Sequence, residues 1–130
     1  LIVYKCTAGK LTIGVGRNLE DLGISQDESA EMLSNDIERV CKELDQHLEW
    51  WNGLDQVRQR VLIDMCFNLG ISGLLGFQQT LRHISNERFP EASRSMLDSL
   101  WAKQVGQRAV RLAKMMETGQ DPRELWFKGA

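Results

Sequence analysis

Two side chains with reactive heteroatoms stand six positions apart near the start of the chain. They are Cys6 and Thr12, within the stretch YKCTAGKLTIGVGR that runs from Tyr4 to Arg17. A thiolate is anionic and nucleophilic, and it can occupy a carboxylate's place where a reaction needs negative charge. A threonine hydroxyl can hold a water molecule. The Lys5 ammonium beside Cys6 is expected to favour the ionised thiol. Taken alone, the pair also fits a plainer reading, an incidental thiol and a β-branched residue in a small hairpin.

The other candidate groups offer less. Glu20 and Asp21 follow the hairpin in what reads as a solvated loop, and Glu28 is placed to cap a helix. His47 and His83 are isolated from each other and from carboxylate pairs, so no metal site is expected. The three cysteines, Cys6, Cys41 and Cys66, are an odd number without CxxC spacing. That argues against a zinc knuckle and a disulfide framework, and it fits synthesis in a reducing compartment. Cys41 is in register with Ile37, Leu44 and Leu48, and Cys66 stands beside Leu62 and Leu69; both read as small buried apolar residues.

Positioning such groups takes a scaffold, and most of it reads as helix. Ser25-Gln26-Asp27-Glu28 is a capping box, followed by Leu33, Ile37, Val40, Cys41, Leu44 and Leu48 at helical spacing. This predicts a long helix over 25–49 with those residues on its inward face. Trp50-Trp51-Asn52-Gly53 breaks it, with at least one tryptophan buried. A second helix is expected from Asp55 to Leu69, stopped by Gly70, with Val57, Val61, Leu62 and Met65 inward. The glycines of ISGLLGF suggest a tight corner. Helices are then expected over 79–84, over 90–99 opened by Pro90, and over 105–117 ended by Gly119. Asp121-Pro122 introduces a last short helix carrying Leu125, Trp126 and Phe127. The fold class is α+β and mostly α: a small β-hairpin lobe (1–24), a long linker helix (25–49) and a helical-bundle lobe (50–130). Together they form one two-lobed domain, and ligands commonly bind between lobes.

Bulk properties agree with a globular chain. It has 130 residues, is 42% hydrophobic and 26% charged, and carries a net charge of −2. So balanced a charge supplies no global field for nucleic acid, and no apolar run approaches the ~20 residues that span a bilayer. The chain opens LIVYKC, without an initiator methionine, so a removed leader is compatible with it.

The motifs and their order resemble the phage-type lysozymes, the endolysins with which tailed phages cut bacterial peptidoglycan. The resemblance rests on Tyr4-Lys5, Gly9, Thr12-Ile13-Gly14 and Gly16 in the hairpin, then the capped linker helix, then Phe67-Asn68-Leu69-Gly70. It continues through Gly76-Phe77, Thr80-Leu81-Arg82, Trp101 and Gly106-Gln107-Arg108-Ala109. It implies a lysozyme-like two-lobed fold and a muramidase that cuts the β-1,4 bond between N-acetylmuramic acid and N-acetylglucosamine with inversion, without a cofactor. Such cleavage needs an acid on the leaving oxygen and a second group that handles water on the opposite side. The resemblance gives the water-side roles to Thr12 and to Cys6, which takes the place of the family's aspartate. Asn18, Phe67, Thr80 and Ser95 fall on substrate-contacting positions. Arg17 falls where a lobe-spanning ion pair is expected, and Arg108 where it would orient the acid. Trp101 falls on a core position.

The family's glutamate, the general acid, maps about four residues ahead of Leu1. A general acid contributes ~10²–10⁴-fold in rate, so these 130 residues on their own are expected to hydrolyse peptidoglycan very poorly. Without that acid the same fold is a peptidoglycan binder that holds glycan and does not cut it. The resemblance further implies a monomer whose partner is bacterial peptidoglycan. Such a protein accumulates in the host bacterial cytoplasm until lysis and then acts on the wall.

Overall fold

Reciprocal hydrogen bonds start the longest helix. The Glu28 N–H donates to Ser25 Oγ at 3.1 Å, and the Ser25 N–H donates to Glu28 Oε1 at 2.9 Å, the capping box the sequence predicts. In this computed structural model, which describes residues 1–122, the helix runs Gln26–His47 and is preceded by a small sheet. The order is β1 (Tyr4–Lys5), β2 (Leu11–Ile13), β3 (Arg17–Asn18), α1 (Leu19–Leu22), α2 (Gln26–His47) and a 3-10 turn (Glu49–Gly53). Then come α3 (Gln56–Leu75), α4 (Gln78–Ser85), α5 (Phe89–Leu97), α6 (Leu100–Val105) and α7 (Gln107–Thr118). The α+β, mostly helical class is as expected. The helix expected to carry Leu125, Trp126 and Phe127 lies outside the described residues. The chain divides into two compact units inside α2, after Ile37.

The first unit holds more sheet than one hairpin. β1, β2 and β3 form an antiparallel sheet in chain order, with Tyr4 opposite Thr12 and Thr12 opposite Asn18. The third strand exists because Gly14 (φ 65°) and Gly16 (φ 91°) reverse the chain within three residues, a conformation that a Cβ opposes. Glu20 and Asp21, read as a solvated loop, lie in α1, which Asn18 caps by accepting from the Asp21 N–H at 3.2 Å. The inward face expected for α2 fails in its first half: Leu33 is 52% and Ile37 39% exposed, whereas Val40 and Leu44 are buried. Periodicity locates a face but not what covers it, and the first unit lays no apolar layer over these two side chains.

The second unit is built on α3, whose Val61, Leu62 and Met65 are fully buried. Gly70, the expected stop, does leave helical geometry (φ 74°, ψ 165°), but the chain re-enters helix as far as Leu75 instead of turning at once. A Cβ on Gly73 would stand 2.9 Å from Leu69 Cβ, so glycine is what lets the continuation approach this closely. The corner comes at Gly76-Phe77. α6 was not foreseen; Ser99 caps it by accepting from the Ala102 N–H at 3.2 Å, and Gly106 (φ 61°) separates it from α7. α5 packs on α4 and α7, and α3 packs on α7. Arg58 closes the end of α7: its guanidinium lies 3.5 Å over the Phe89 ring and donates to the carbonyls of Met116 and Glu117 at 2.6 and 2.9 Å. Trp51 is the buried tryptophan of its pair and donates Nε1–H to Asp45 at 2.7 Å. Among the described residues no single helix is long and apolar enough to cross a membrane.

Two truncations separate covered from uncovered apolar positions. Leu62→Ala is expected to cost ~2–5 kcal/mol in chemical denaturation of the whole chain. Leu33→Ala is expected to stay within ~0.5 kcal/mol. Equal costs would contradict the burial pattern.

Candidate functional site

Cys6 begins a five-residue turn closed by its own backbone. The Cys6 N–H donates to the Lys10 carbonyl at 2.9 Å and the Gly9 N–H to the Cys6 carbonyl at 2.8 Å, with Gly9 at φ 77°. The closure folds backbone donors around the sulfur. Hydrogen bonds from the backbone N–H groups of Lys10 and then Ala8 draw the Cys6 thiol below its ordinary pKa, and the Thr12 hydroxyl adds to them. The Lys5 ammonium, expected to do this, is not among the causes. The reason is that a turn aims amides at its own first side chain, while neighbours along a strand point to opposite faces. Cys41 and Cys66 behave oppositely, burial pushing both thiols up. All three are free cysteines.

Thr12 stands on β2 opposite Tyr4 and Asn18. It is 2% exposed, and its hydroxyl donates to the Lys10 carbonyl at 2.9 Å. The structure therefore brings Cys6, at the start of the turn, beside Thr12 on the strand that leaves it, with Asn18 on the adjoining strand. The Asn18 side chain is engaged with Asp21, to which Nδ2 donates at 2.9 Å. Arg17 donates to Glu28 Oε1 at 2.8 Å and to the Gly23 carbonyl at 3.2 Å. Both partners lie within the first unit, so the expected lobe-spanning pair is instead a tie between β3 and the start of α2. That guanidinium, followed by the Ser25 N–H, holds the Glu28 carboxyl down to about 2.

The second unit gathers a different set. Thr80 Oγ1 and Ser95 Oγ lie 2.7 Å apart, joining α4 to α5. Thr80 is buried and is not the helix cap, a position taken by Phe77, and Ser95 is half-buried. Both line a cavity of about 550 Å³ with Leu69, Phe77, Gln78, Gln79, Ser99, Leu100, Trp101 and Gln104. The rings of Phe77 and Trp101 meet edge to face, 6.1 Å between centroids. Trp101 packs as expected, yet its Nε1–H is buried with no hydrogen-bond partner, leaving a donor in the cavity wall. Phe67 is 40% exposed and presents a ring for apolar contact. Arg108 is paired with Asp64 of α3.

Hydroxyl, carboxamide and aromatic groups in one open hollow are the mixture that suits a polar, ring-bearing ligand such as a sugar. The glutamines escaped sequence reasoning because carboxamides scattered over two helices form no motif. Among the described residues, no group of three His, Cys, Asp or Glu could hold a metal ion.

Comparison with known proteins gives the family. A family model described as phage lysozyme matches residues 1–117. The chain is 27% identical over 148 residues of alignment to probable T4-type lysozyme 1 of Dictyostelium discoideum, covering 92% of this chain and 87% of that protein. Probable T4-type lysozyme 2 of the same organism is 25% identical with the same coverage. The pre-baseplate central spike protein Gp5 of Enterobacteria phage T4 is 25% identical over 99 residues, 74% of this chain and 17% of its own length.

The Arg17–Glu28 tie gives a signed pH dependence. A carboxyl depressed on folding contributes stability above its unfolded value and loses it as pH falls through its folded value. Wild-type thermal stability is therefore expected to decline between pH 4.5 and about 2, modestly, because the pair is part-exposed and screened. Glu28→Gln should flatten that limb in Tm measured against pH; an unchanged limb would contradict the assignment.

Proposed function

The chain belongs to the phage lysozyme family, whose members are lysozyme-like peptidoglycan hydrolases, and from that premise we propose that it is a muramidase. Its substrate bond is the β-1,4 link between N-acetylmuramic acid and N-acetylglucosamine, and its role is bacterial lysis. The observation that carries the reading is the closed Cys6–Lys10 turn, whose backbone amides draw the thiol at the family's water-side position below its ordinary pKa.

In this reading the Cys6 thiolate accepts a proton from water as the water attacks the anomeric carbon. The leaving oxygen takes a proton from a general acid on the opposite side of the bond, and the configuration inverts. The Thr12 hydroxyl donates to the Lys10 carbonyl, which leaves its oxygen lone pairs to accept from the attacking water. Asn18, Phe67, Thr80 and Ser95 contact the glycan, and Arg17 and Arg108 set the charge around it. Thr80 and Ser95 are joined across the hollow that would receive a sugar. The protein acts as a monomer, accumulates in the host bacterial cytoplasm and reaches the wall once the inner membrane is breached.

The test uses protein expressed from its complete reading frame and insoluble peptidoglycan, measuring soluble fragments with N-acetylmuramic acid at the reducing end. Cys6→Ala is expected to lose ~10²-fold or more in rate, while Cys6→Asp retains cleavage. An undiminished rate in Cys6→Ala would remove Cys6 from the mechanism. Binding to the wall without release of fragments by wild-type protein would favour the non-cutting binder.

A further inference from the structure

The sheet that carries Cys6 and Thr12 stops one step too soon, and a carboxylate finishes it. The second ladder pairs Ile13 with Arg17 and Thr12 with Asn18. The next partner for Leu11 would be Leu19, but there the chain has already turned into α1. In an antiparallel sheet, positions alternate between those bonded to one neighbour and those bonded to the other. Cys6 and Lys10 are joined through the Cys6 N–H, so the Leu11 backbone faces away from β1, towards the place β3 has vacated. An N–H left there would be an unpaired edge donor.

We propose that Glu20 is a positioning residue for the Cys6–Thr12 wall: its Oε1 accepts from the Leu11 N–H at 2.8 Å and stands in for the missing strand carbonyl. This rests on the reading of Cys6 and Thr12 as the water-side groups. The neighbouring acid of α1 grips the preceding residue, with Asp21 Oδ1 3.3 Å from Lys10 Nζ. Asp21 is itself held by Asn18 from both ends of its side-chain amide. α1 therefore holds consecutive residues, Lys10 and Leu11, at the exit of the turn. Lys10 supplies both the amide that does most to stabilise the Cys6 sulfur and the carbonyl that accepts from Thr12. Removing the Glu20 acceptor frees Leu11 and the Lys10 carbonyl of the same peptide unit, and through the Lys10 α-carbon it loosens the preceding amide that faces Cys6. Glu20 touches neither side chain itself. A carboxamide keeps an acceptor oxygen and so should substitute for it.

Iodoacetamide alkylation of the 130-residue chain tests this, with modification at Cys6 followed by peptide mass mapping across pH. Cys41 and Cys66, whose thiols burial pushes up, are slow internal references. Glu20→Ala is expected to move the Cys6 midpoint upward. Each unit of rise cuts the thiolate about tenfold and returns about threefold in intrinsic nucleophilicity, a net slowing of about threefold at neutral pH. Glu20→Gln is expected to behave as wild type. An unchanged midpoint in Glu20→Ala, or an equal rise in Glu20→Gln, would overturn the proposal. Should Glu20→Ala fail to fold, hydrogen exchange at the Leu11 amide of wild type and Glu20→Gln decides. Protection in both supports the role, and exchange at the free-peptide rate in either removes it. None of these readouts involves glycan cleavage, so failure of the hydrolase reading would appear separately, as undiminished cutting by Cys6→Ala.

Discussion

Thr12 is the only buried side chain among residues 1–37, and the first unit is organised around its strand. A unit this small cannot hold itself together by apolar burial. It relies on directed polar contacts: the closed Cys6–Lys10 turn, the Thr12 hydroxyl on the Lys10 carbonyl, Arg17 on Glu28, and the carboxylates of α1 on the edge of β2. The same contacts that keep β2 in register also determine the surroundings of the Cys6 sulfur. Order and chemistry in this unit therefore come from one network, and a change that loosens the turn disturbs both.

The second unit works on the opposite principle. Val61, Leu62 and Met65 on α3, with Met96, Leu112, Met115 and Met116, form a closed apolar interior. Against this rigid background a few polar groups are held in place, namely the Thr80–Ser95 pair and the unpartnered Nε1–H of Trp101. Dense packing restricts rotamers, so hydroxyls in the cavity wall are presented without the entropic cost that ordering a loop would impose.

What the sequence disclosed follows from the range of each interaction. The Ser25–Glu28 capping box is local, complete within four residues, and stands in the structure as read. The α3 core face is periodic and was equally legible. The exposure of Leu33 and Ile37 was not, since a helical stripe carries no record of what covers it. β3 and α6 are too short for any periodic signal, although Gly14, Gly16, Ser99 and Gly106 mark their boundaries in retrospect. The role of Glu20 depends on a nine-residue separation across a sheet edge that composition does not encode. At the site, the pairing of Cys6 with Thr12 could be anticipated from resemblance. What lowers the Cys6 thiol, backbone amides in place of Lys5, needed coordinates.

The central proposal is that the Cys6–Thr12 wall of the first unit meets glycan, and each unit carries its own proposed contacts. Cys6, Thr12 and Asn18 belong to the first unit, and Phe67, Thr80 and Ser95 to the second. The most direct measurement is a chitooligosaccharide titration followed by amide chemical shifts over the whole chain. The proposal predicts saturable shifts at Cys6 and Thr12. Shifts absent from Cys6 and Thr12 would contradict it.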